Sequence, residues 1–356
     1  MRAKKQNQFL SSAIYANIVP EDSVWRKLNE LVDWSKWTRK LEPMYKNTHG
    51  GNSNYPPTML LKMLLVQRVY NISDRKLEEL CTQNLMVKYF LGLEVSAKSP
   101  DYSTVAKFRN LILHTFDAQF YEELFQDILV LLADLGLEIG GTYAVDSTIT
   151  TADVNTWKDK KRQEDGAPKR DEDASWTVKS RPGKQDNTYK QTYYYGYKSH
   201  TIVNLETQLI TALIPTTASQ HDSQFAYPLV EKARRIAHID SLTGDAAYDD
   251  AFLINRLEEQ DDILTAIRIR KTRLTQGPLD NRNKWEEYIT DPDRKELLKY
   301  RGLVERAYAD LKVNHGLGRS KYIGLQKYAM QAYLSAAVMN IKIGFKLLFG
   351  STFHTY

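Results

Sequence analysis

The sequence is poor in the residues that mark disulfide-linked, zinc-bound or membrane-spanning proteins. A single cysteine, Cys81, occurs among 356 residues, which excludes an internal disulfide framework and a zinc site built on a cysteine cluster. No stretch approaches the 18 apolar residues of a transmembrane helix, and no apolar run of signal-peptide length follows Arg2, Lys4 and Lys5. These absences predict a cytoplasmic protein.

Glycine-rich phosphate loops and a strong charge of one sign are also missing. The glycines of NTHGGNS and GLGRS lack the flanking residues of a P-loop, so ATP dependence is not indicated. Lys and Arg number 49 against 44 Asp and Glu, a mild basic excess that permits nucleic-acid binding without requiring it. The content of 42% hydrophobic and 26% charged residues is that of an ordinary globular protein. A chain of 356 residues is long for a single core and favours two domains.

Residues 1–137 have the pattern of a helical domain. A Pro-Pro pair precedes TMLLKMLLVQRVY, whose apolar residues repeat with helical period, and after the short break NIS Ser73 can cap a second helix, DRKLEELC. Two helices joined in this way permit a helix-turn-helix in which Arg68, Arg75 and Lys76 contact DNA. The alternative is an ordinary helical bundle with solvated basic residues.

From residue 140 the apolar pattern changes to that of a mixed α/β sheet. Five strands are predicted, at 143–149, at 195–204, at 209–216, in a short segment that ends at Asp245, and at 263–269. Helices are predicted at 223–237 and 251–258. Strands come first and alternation with helices follows, which indicates a sheet with helices on its faces.

The segment 153–190 interrupts this pattern. It is dense in Lys, Arg, Asp and Glu and nearly free of aliphatic residues, so it is expected to be a flexible excursion. It nevertheless contains Trp157 and Trp176. These side chains either stack on nucleobases when DNA orders the segment or pack against the sheet.

Two isolated carboxylates lie in or at the end of predicted strands. Asp146 occurs in TYAVDSTIT, where an acid among apolar neighbours is costly without a partner, and Asp245 follows a glycine at a strand end, a usual position for ligand-binding groups. The alternatives are a solvent-facing residue for Asp146 and a helix cap for Asp245. For Asp222, in SQHDSQ, we expect a helix cap.

A late helix carries the remaining candidate residues on one face. Arg301, Glu305, Tyr308 and Lys312 recur at i, i+4, i+7 and i+11 in KYRGLVERAYADLK. Alone, such a face is most simply a solvated ion-pair surface. Together with the two strand-end aspartates, however, Glu305 completes the set of carboxylates that a two-metal phosphoryl-transfer site needs.

With these residues the chain resembles the DDE transposases of bacterial insertion sequences, in the branch that carries the signature Y-x2-R-x3-E-x6-K. Arg301, Glu305 and Lys312 match the last three positions of the signature, whereas Leu298 stands at the tyrosine position. Tyr300 and Tyr308 are the possible substitutes, and Tyr308 is the better one because it shares the face of the other three residues. The stretches SNYPPTMLLKMLLVQRVYNISDRKLEEL, YGYKSH, TTASQHDSQ and GLGRSKYIGLQKYAMQAYLSAAVMNIK extend the resemblance over most of the chain.

The resemblance implies a ribonuclease-H-like α/β core with a mixed five-stranded sheet, preceded by an all-α domain. The helical domain at 1–137 would bind DNA or dimerise, and the catalytic domain would span 138–350. Asp146, Asp245 and Glu305 would be catalytic and would hold two Mg²⁺ ions, for which Mn²⁺ would substitute. The implied partners are double-stranded DNA at transposon ends and at the target, and a second copy of the chain in a synaptic complex. A membrane partner is not implied, and the expected location is the bacterial cytoplasm, in association with the nucleoid.

The implied activity is binding of terminal inverted repeats, cleavage at the transposon ends and joining of the 3′-hydroxyl to target DNA. Arg301 and Lys312 would hold backbone phosphates, and Tyr308, on the same face, would also contact DNA. The alternatives are a ribonuclease-H-like nuclease without strand transfer and a domesticated DNA-binding protein that has lost catalysis.

Overall fold

The computed structural model describes residues 2–45, 55–182, 189–276 and 278–353, and the chain divides into two compact units. The first unit consists of Met1–Leu137 and Ala337–Tyr356, and the second of Glu138–Ala336. The long C-terminal helix therefore begins in the second unit and ends in the first.

The N-terminal part of the first unit is built from helices, as predicted. They are α1 (Arg2–Ile18), α2 (Val24–Leu31), α3 (Trp34–Leu41) with a following 3₁₀ turn (Glu42–Tyr45), α4 (Pro57–Tyr70), α5 (Asp74–Gln83), α6 (Leu85–Leu91), α7 (Tyr102–Phe116) and α8 (Gln119–Asp134). Helix α4 forms the centre of this unit, because every side chain from Met59 to Val69 except Lys62 is buried.

The break after α4 has the expected form. Asn71 ends α4 in the left-handed conformation, and the Ser73 hydroxyl caps α5 by accepting from the Lys76 N–H at 3.4 Å.

The second unit contains a mixed sheet. Its strands are β1 (Gly141–Thr151), β2 (Ser175–Pro182), β3 (Tyr189–Asn204), β4 (Ile210–Thr217), β5 (Ile239–Gly244) and β6 (Leu264–Ile267). Its helices are α9 (Thr156–Glu164), α10 (Ser223–Ala233), α11 (Ala251–Glu259), α12 (Lys271–Thr275), α13 (Leu279–Thr290), α14 (Pro292–Tyr300), α15 (Leu303–Val313) and the start of α16 (Leu325–Phe349). Strands β1, β3 and β4 pair antiparallel, whereas β1, β5 and β6 run parallel, so the five predicted strands lie in the order β4-β3-β1-β5-β6. This arrangement confirms the expected ribonuclease-H-like fold class.

A sixth strand, β2, comes from the segment predicted to be a flexible excursion. It pairs with the first half of β3, from Ser175↔Gly196 to Pro182↔Tyr189, while the second half of β3 pairs with β1 and β4. Polar contacts hold the segment in place. Buried Asp171 accepts hydrogen bonds from the Tyr197 hydroxyl at 2.6 and 2.7 Å, and its carbonyl accepts from the Tyr195 hydroxyl at 2.7 Å. The prediction was wrong for 153–182 because it counted only aliphatic burial. Residues 183–188 lie outside the described residues.

The two faces of the sheet have different neighbours. On one face Val145 and Ile202 belong to a hydrophobic cluster with Leu229 of α10, Ile254 of α11 and Trp285 of α13. Because side chains alternate along a strand, Asp146 and its cross-strand partner Thr201 point to the opposite face, where Thr201 meets helix α15. Strand alternation thus separates the main apolar core from the face that carries Asp146.

Helix α16 is long and apolar enough to cross a membrane by length and composition, but 67% of its most apolar window is buried within the protein. It also contains Gln331, fully buried, whose side-chain amide donates to the carbonyls of Gly316 and Arg319 at 2.9 and 3.0 Å. These properties are those of a core helix.

Candidate active site

Asp146 and Asp245 are brought together where strand β5 ends. Val145↔Gly244 is the last pair of the parallel β1–β5 ladder, so the two aspartates are the next residues on neighbouring strands. Adjacent strands are separated by about 4.8 Å. Beyond this point β1 continues along β3, whereas the chain after β5 turns into a 3₁₀ turn at Ala246–Tyr248. The carboxyl end of a strand at such a divergence is where ligand sites form in open sheets.

Each aspartate uses one oxygen in a local hydrogen bond. Asp146 Oδ1 accepts from the Ser147 N–H at 2.7 Å, and Asp245 Oδ1 accepts from the Ala247 N–H at 2.8 Å. Asp245 therefore caps the following 3₁₀ turn, which agrees with the alternative prediction of a capping role for this residue. The capping bond fixes the orientation of the carboxylate, and it does not conflict with a second role for the other oxygen.

The carboxyl group of Asp146 is poorly stabilised as an anion. Burial is the largest influence and raises its pKa from 3.8 to about 6; the negative charge of Asp245 acts in the same direction, while the Ser147 N–H and the charges of Lys179 and Arg301 oppose it. A buried carboxylate that is stabilised this poorly, next to a second carboxylate, fits a divalent cation, because hard cations prefer oxygen ligands. The donor set of these two residues therefore suits Mg²⁺ or Mn²⁺.

Glu305 is not gathered with the two aspartates. Its side chain is 70% exposed, and its nearest charged partner is Arg301, at 3.9 Å. Within the described parts of the chain, no three His, Cys, Asp or Glu side chains form a group that could hold a metal ion. The structure thus supplies two of the three predicted carboxylates at one place.

The four residues predicted to share one face of a single helix do not all lie in one helix. Helix α14 ends at Tyr300, Arg301 and Gly302 follow, and α15 begins at Leu303. Both linking residues keep right-handed helical backbone angles, which is why Arg301 still approaches Glu305. The face also passes from solvent to the interior, since Glu305 is exposed and Tyr308 is buried.

Tyr308 lies in the interior and not on a surface open to DNA. Its side chain is 7% exposed, and its hydroxyl is 2.6 Å from the hydroxyl of Thr201, the residue paired with Asp146 across β1 and β3. Burial raises the pKa of Tyr308 well above its usual value, and the negative charge of Asp146 adds to this effect. Tyr308 therefore supports the strand pair that carries Asp146.

Lys312 and Lys179 place positive charge near Asp146. Burial lowers the pKa of Lys312, and the charge of Lys179 lowers it further, while Asp146 opposes both. Lys179, on β2, was missed by the sequence analysis because it lies within the supposed excursion. Its only sequence signal was the high Lys and Arg content of that segment. Because its charge acts on both Asp146 and Lys312, Lys179 belongs to the surroundings of the site.

Asp222 belongs to a buried charge network and not to a helix cap. It accepts a hydrogen bond from Lys198 Nζ at 2.9 Å, and His200 Nδ1 lies 3.3 Å from the same oxygen. Burial alone would raise the pKa of Asp222, but hydrogen bonds from His200, Lys198 and Ser147 and the charge of Lys198 hold it well below its usual range. Burial lowers the pKa of His200, which favours the neutral imidazole. The predicted cap was wrong, although alternation within YGYKSH does place Lys198 and His200 on one face of β3.

The three basic residues proposed to contact DNA in the helical domain have different positions. Arg68 is 1% exposed and so does not lie on the surface as predicted. Arg75 and Lys76 are exposed; the Arg75 guanidinium lies 4.9 Å from the ring centre of Tyr102, and Lys76 lies 3.6 Å from Glu79. Two of the three residues are therefore available on the surface.

Both parts of the chain match known transposase families. Residues 14–111 match the family described as "Transposase domain (DUF772)", and residues 141–341 match "Transposase DDE domain". A solved structure that resembles the chain is the piggyBac transposase synaptic complex with hairpin DNA, with a TM-score of 0.46 and 10% identity over 92% of this chain and 74% of that chain. Because the DDE match alone covers more than half of the 356 residues, the chain belongs to the DDE transposase family of DNA-cutting and DNA-joining enzymes.

Proposed function

We propose that the protein binds the terminal inverted repeats of an insertion sequence, cleaves DNA at the transposon ends and joins the 3′-hydroxyl to target DNA. The observation that carries this proposal is the placement of Asp146 and Asp245 on neighbouring strands by the Val145↔Gly244 pair. The reaction class is inferred from family membership, and the aspartate pair is the proposed position of the reacting phosphodiester.

Two divalent cations, Mg²⁺ or Mn²⁺, would activate the attacking oxygen and neutralise charge on the leaving oxygen of the phosphodiester. Asp146 and Asp245 would hold them, and Glu305 would complete the set. Since the Glu305 side chain is exposed beside Arg301, completion requires it to turn toward the aspartates. Glu305 lies in the first turn of α15, and its side chain is 70% exposed, which leaves room for this rotation.

The cations of this region would hold the substrate. Arg301 offers a planar guanidinium that can bind a phosphate through two hydrogen bonds, whereas Lys312 acts as a point charge. Lys179 adds a third positive group near Asp146. Three positive groups near Asp146 favour an anionic DNA backbone, which would lie across the site with its scissile phosphate near the aspartates.

We assign DNA binding or dimerisation to residues 1–137 and catalysis to residues 138–350. Arg75 and Lys76 are the exposed residues through which α5 would contact DNA. The match to the Y-x2-R-x3-E-x6-K signature at Arg301, Glu305 and Lys312 supports the part of this proposal that assigns the chain to the branch with that signature. A homodimer would pair the two transposon ends.

The test is cleavage of DNA that carries the element's own ends, in Mg²⁺, by Asp146→Asn, Asp245→Asn and Glu305→Gln. Each amide keeps the shape of the side chain but loses the charge that holds a hard cation, so we expect cleavage to be abolished while end binding in a gel shift persists. The matched control is Asp240→Asn, which alters an exposed aspartate on β5 and should cleave normally.

Near wild-type cleavage by any one of the three variants would remove that residue from the site. The joining step is tested separately, with a pre-cleaved 3′-hydroxyl end and a target plasmid. Efficient nicking by the wild-type protein without joining would replace the proposed transposase with a nuclease, and tight end binding without cleavage would leave only a DNA-binding protein.

A further inference from the structure

A groove next to the catalytic strand is lined by aromatic and basic side chains. Trp157 on α9, Trp176 on β2 and Tyr195 on β3 border a cavity of about 350 Å³ together with Lys160 and Lys169. The Trp157 side chain is 71% exposed and that of Trp176 is 54% exposed. Tryptophan is highly buried on average, so two exposed tryptophans in one groove require an explanation.

Ring packing and hydrogen bonds hold the residues beneath the groove in place. The Trp176 ring lies 5.2 Å from the ring of buried Tyr195, and the Tyr195 hydroxyl donates to the Asp171 carbonyl. Below Trp157, buried Asp159 accepts hydrogen bonds from the Arg170 N–H at 3.0 Å and from the Gln163 side chain at 3.1 Å. The two tryptophans thus lie on a surface held in place by these contacts, and both side chains are more than half exposed.

The exposed charges that line the groove are positive, since Lys160 and Lys169 are exposed and Asp159, which also lines it, is buried. Residues 156–170 contain six cations, namely Lys158, Lys160, Lys161, Arg162, Lys169 and Arg170, against the three acids Asp159, Glu164 and Asp165. All six cations are exposed, as are Glu164 and Asp165, whereas Asp159 is buried. An apolar platform bordered by cations matches the two parts of a DNA strand, which are the flat base and the phosphate.

The position of the groove is tied to the active site through β1. This strand carries Asp146 and runs to Thr151, five residues further on, which corresponds to about 17 Å. Helix α9, which carries Trp157, follows β1 in the chain. A DNA strand whose scissile phosphate lies beside Asp146 could therefore extend along β1 and reach the tryptophans several nucleotides away.

We infer that this groove binds an unpaired nucleobase of a DNA strand, with Trp157 and Trp176 stacking on the base and Lys160 and Lys169 holding the adjacent phosphates. Stacking on aromatic side chains within a cationic groove is the general mode by which proteins hold single strands. The inference rests on the proposed function for its DNA substrate and adds a second site to it.

The test uses the full chain and measures the binding of oligo(dT), and of a duplex of equal length, by fluorescence anisotropy over a range of salt concentrations. For Trp157→Ala and Trp176→Ala we expect about tenfold or greater loss of affinity for oligo(dT), with the salt dependence unchanged, because stacking releases no counterions. For Lys160→Gln and Lys169→Gln we expect the slope of log K against log salt to fall by about 0.7 each on single strands.

The matched control is Phe252→Ala, since Phe252 on α11 is 74% exposed and lies outside the groove. A second variant, Trp176→Phe, keeps an aromatic ring beside Tyr195 and should retain most of the affinity. Fluorescence of 2-aminopurine, placed in turn at each position of a transposon-end strand, should be quenched at one position by the wild-type protein and released from quenching by Trp157→Ala.

Equal oligo(dT) affinity for wild type, Trp157→Ala and Phe252→Ala would overturn the inference. So would a change in the oligomeric state of Trp157→Ala, measured by light scattering, at unchanged DNA affinity, because a second copy of the chain would then occupy the groove. The proposed function fails separately. If the wild-type protein binds oligo(dT) through the tryptophans but cuts no end DNA, the groove stands and the transposase assignment falls.

Discussion

The electrostatic state of Asp146 allows a prediction that needs no DNA. Burial and the neighbouring Asp245 raise the pKa of Asp146 to about 6, so the ionised carboxylate costs stability in the absence of a cation. Asp146→Asn removes this cost and keeps an oxygen that can accept the Ser147 N–H. We therefore expect the variant to be more stable than the wild-type protein at pH 7.5 in EDTA.

The size and pH dependence follow from the pKa shift. A rise from 3.8 to about 6 corresponds to at most roughly 3 kcal/mol, and partial contact with solvent reduces the expected gain to about 1–3 kcal/mol. Between these two pH values the folded state binds more protons than the unfolded state, so this contribution to stability falls as the pH rises from about 4 to above 6. The difference between variant and wild type should vanish below about pH 4.

The assay is calorimetric unfolding from pH 4 to pH 8, in EDTA and in Mg²⁺, with Asp240→Asn as control. Each kcal/mol moves the midpoint by about 2–4 °C for a domain of 150–250 residues. Mg²⁺ at 100 times its dissociation constant should stabilise the wild-type protein by about 2.7 kcal/mol, and the variant less. A variant that is less stable than wild type at pH 7.5 in EDTA, or equal stabilisation of both by Mg²⁺, would refute the reasoning.

Four further outcomes are expected. Arg301→Ala and Lys312→Ala should each reduce the slope of log K against log salt on duplex DNA by about 0.9; unchanged slopes in both would leave only a solvated ion-pair surface. Tyr308→Phe should lose about 1 kcal/mol in urea unfolding and leave that slope unaltered, whereas an altered slope would place its hydroxyl on DNA. Asp222→Asn leaves a buried ammonium without its carboxylate and should cost about 3–5 kcal/mol by the same method; a neutral effect would contradict the network. Gly196→Ala would place a Cβ 2.2 Å from a backbone oxygen, so we expect a loss above about 3 kcal/mol in thermal unfolding, and wild-type stability would contradict this close approach.

Patterns along the sequence were sufficient where the information is local. Runs rich in β-branched and apolar residues predicted the five strands β1 and β3–β6, because such runs are typical of buried strands. A serine after a short break predicted the cap of α5, since a capping hydroxyl needs only the backbone three residues further on. Asp146 and Asp245 were recognisable as candidates because each lies in or at the end of a predicted strand.

Patterns failed where one residue's state depends on a distant partner. Arg68 and Tyr308 have charged or polar groups typical of a surface, yet tertiary packing buries both. Asp222 was expected to serve the helix that follows it, but Lys198, 24 residues earlier, lies within hydrogen-bond distance. The local sequence around a polar residue is the same whether its side chain caps a helix or forms an ion pair with a distant residue.

By itself, the sequence determined the helical and mixed α/β parts of the chain, the family, and the candidate acids. The tertiary structure alone decided the register Val145↔Gly244, which joins residues 99 positions apart and brings Asp146 beside Asp245. It also decided that the charged segment contributes β2 and an exposed pair of tryptophans, and that Glu305 faces solvent. The physical reason is that periodicity reports burial of a single element, whereas strand register and the meeting of charges depend on how separate elements pack together.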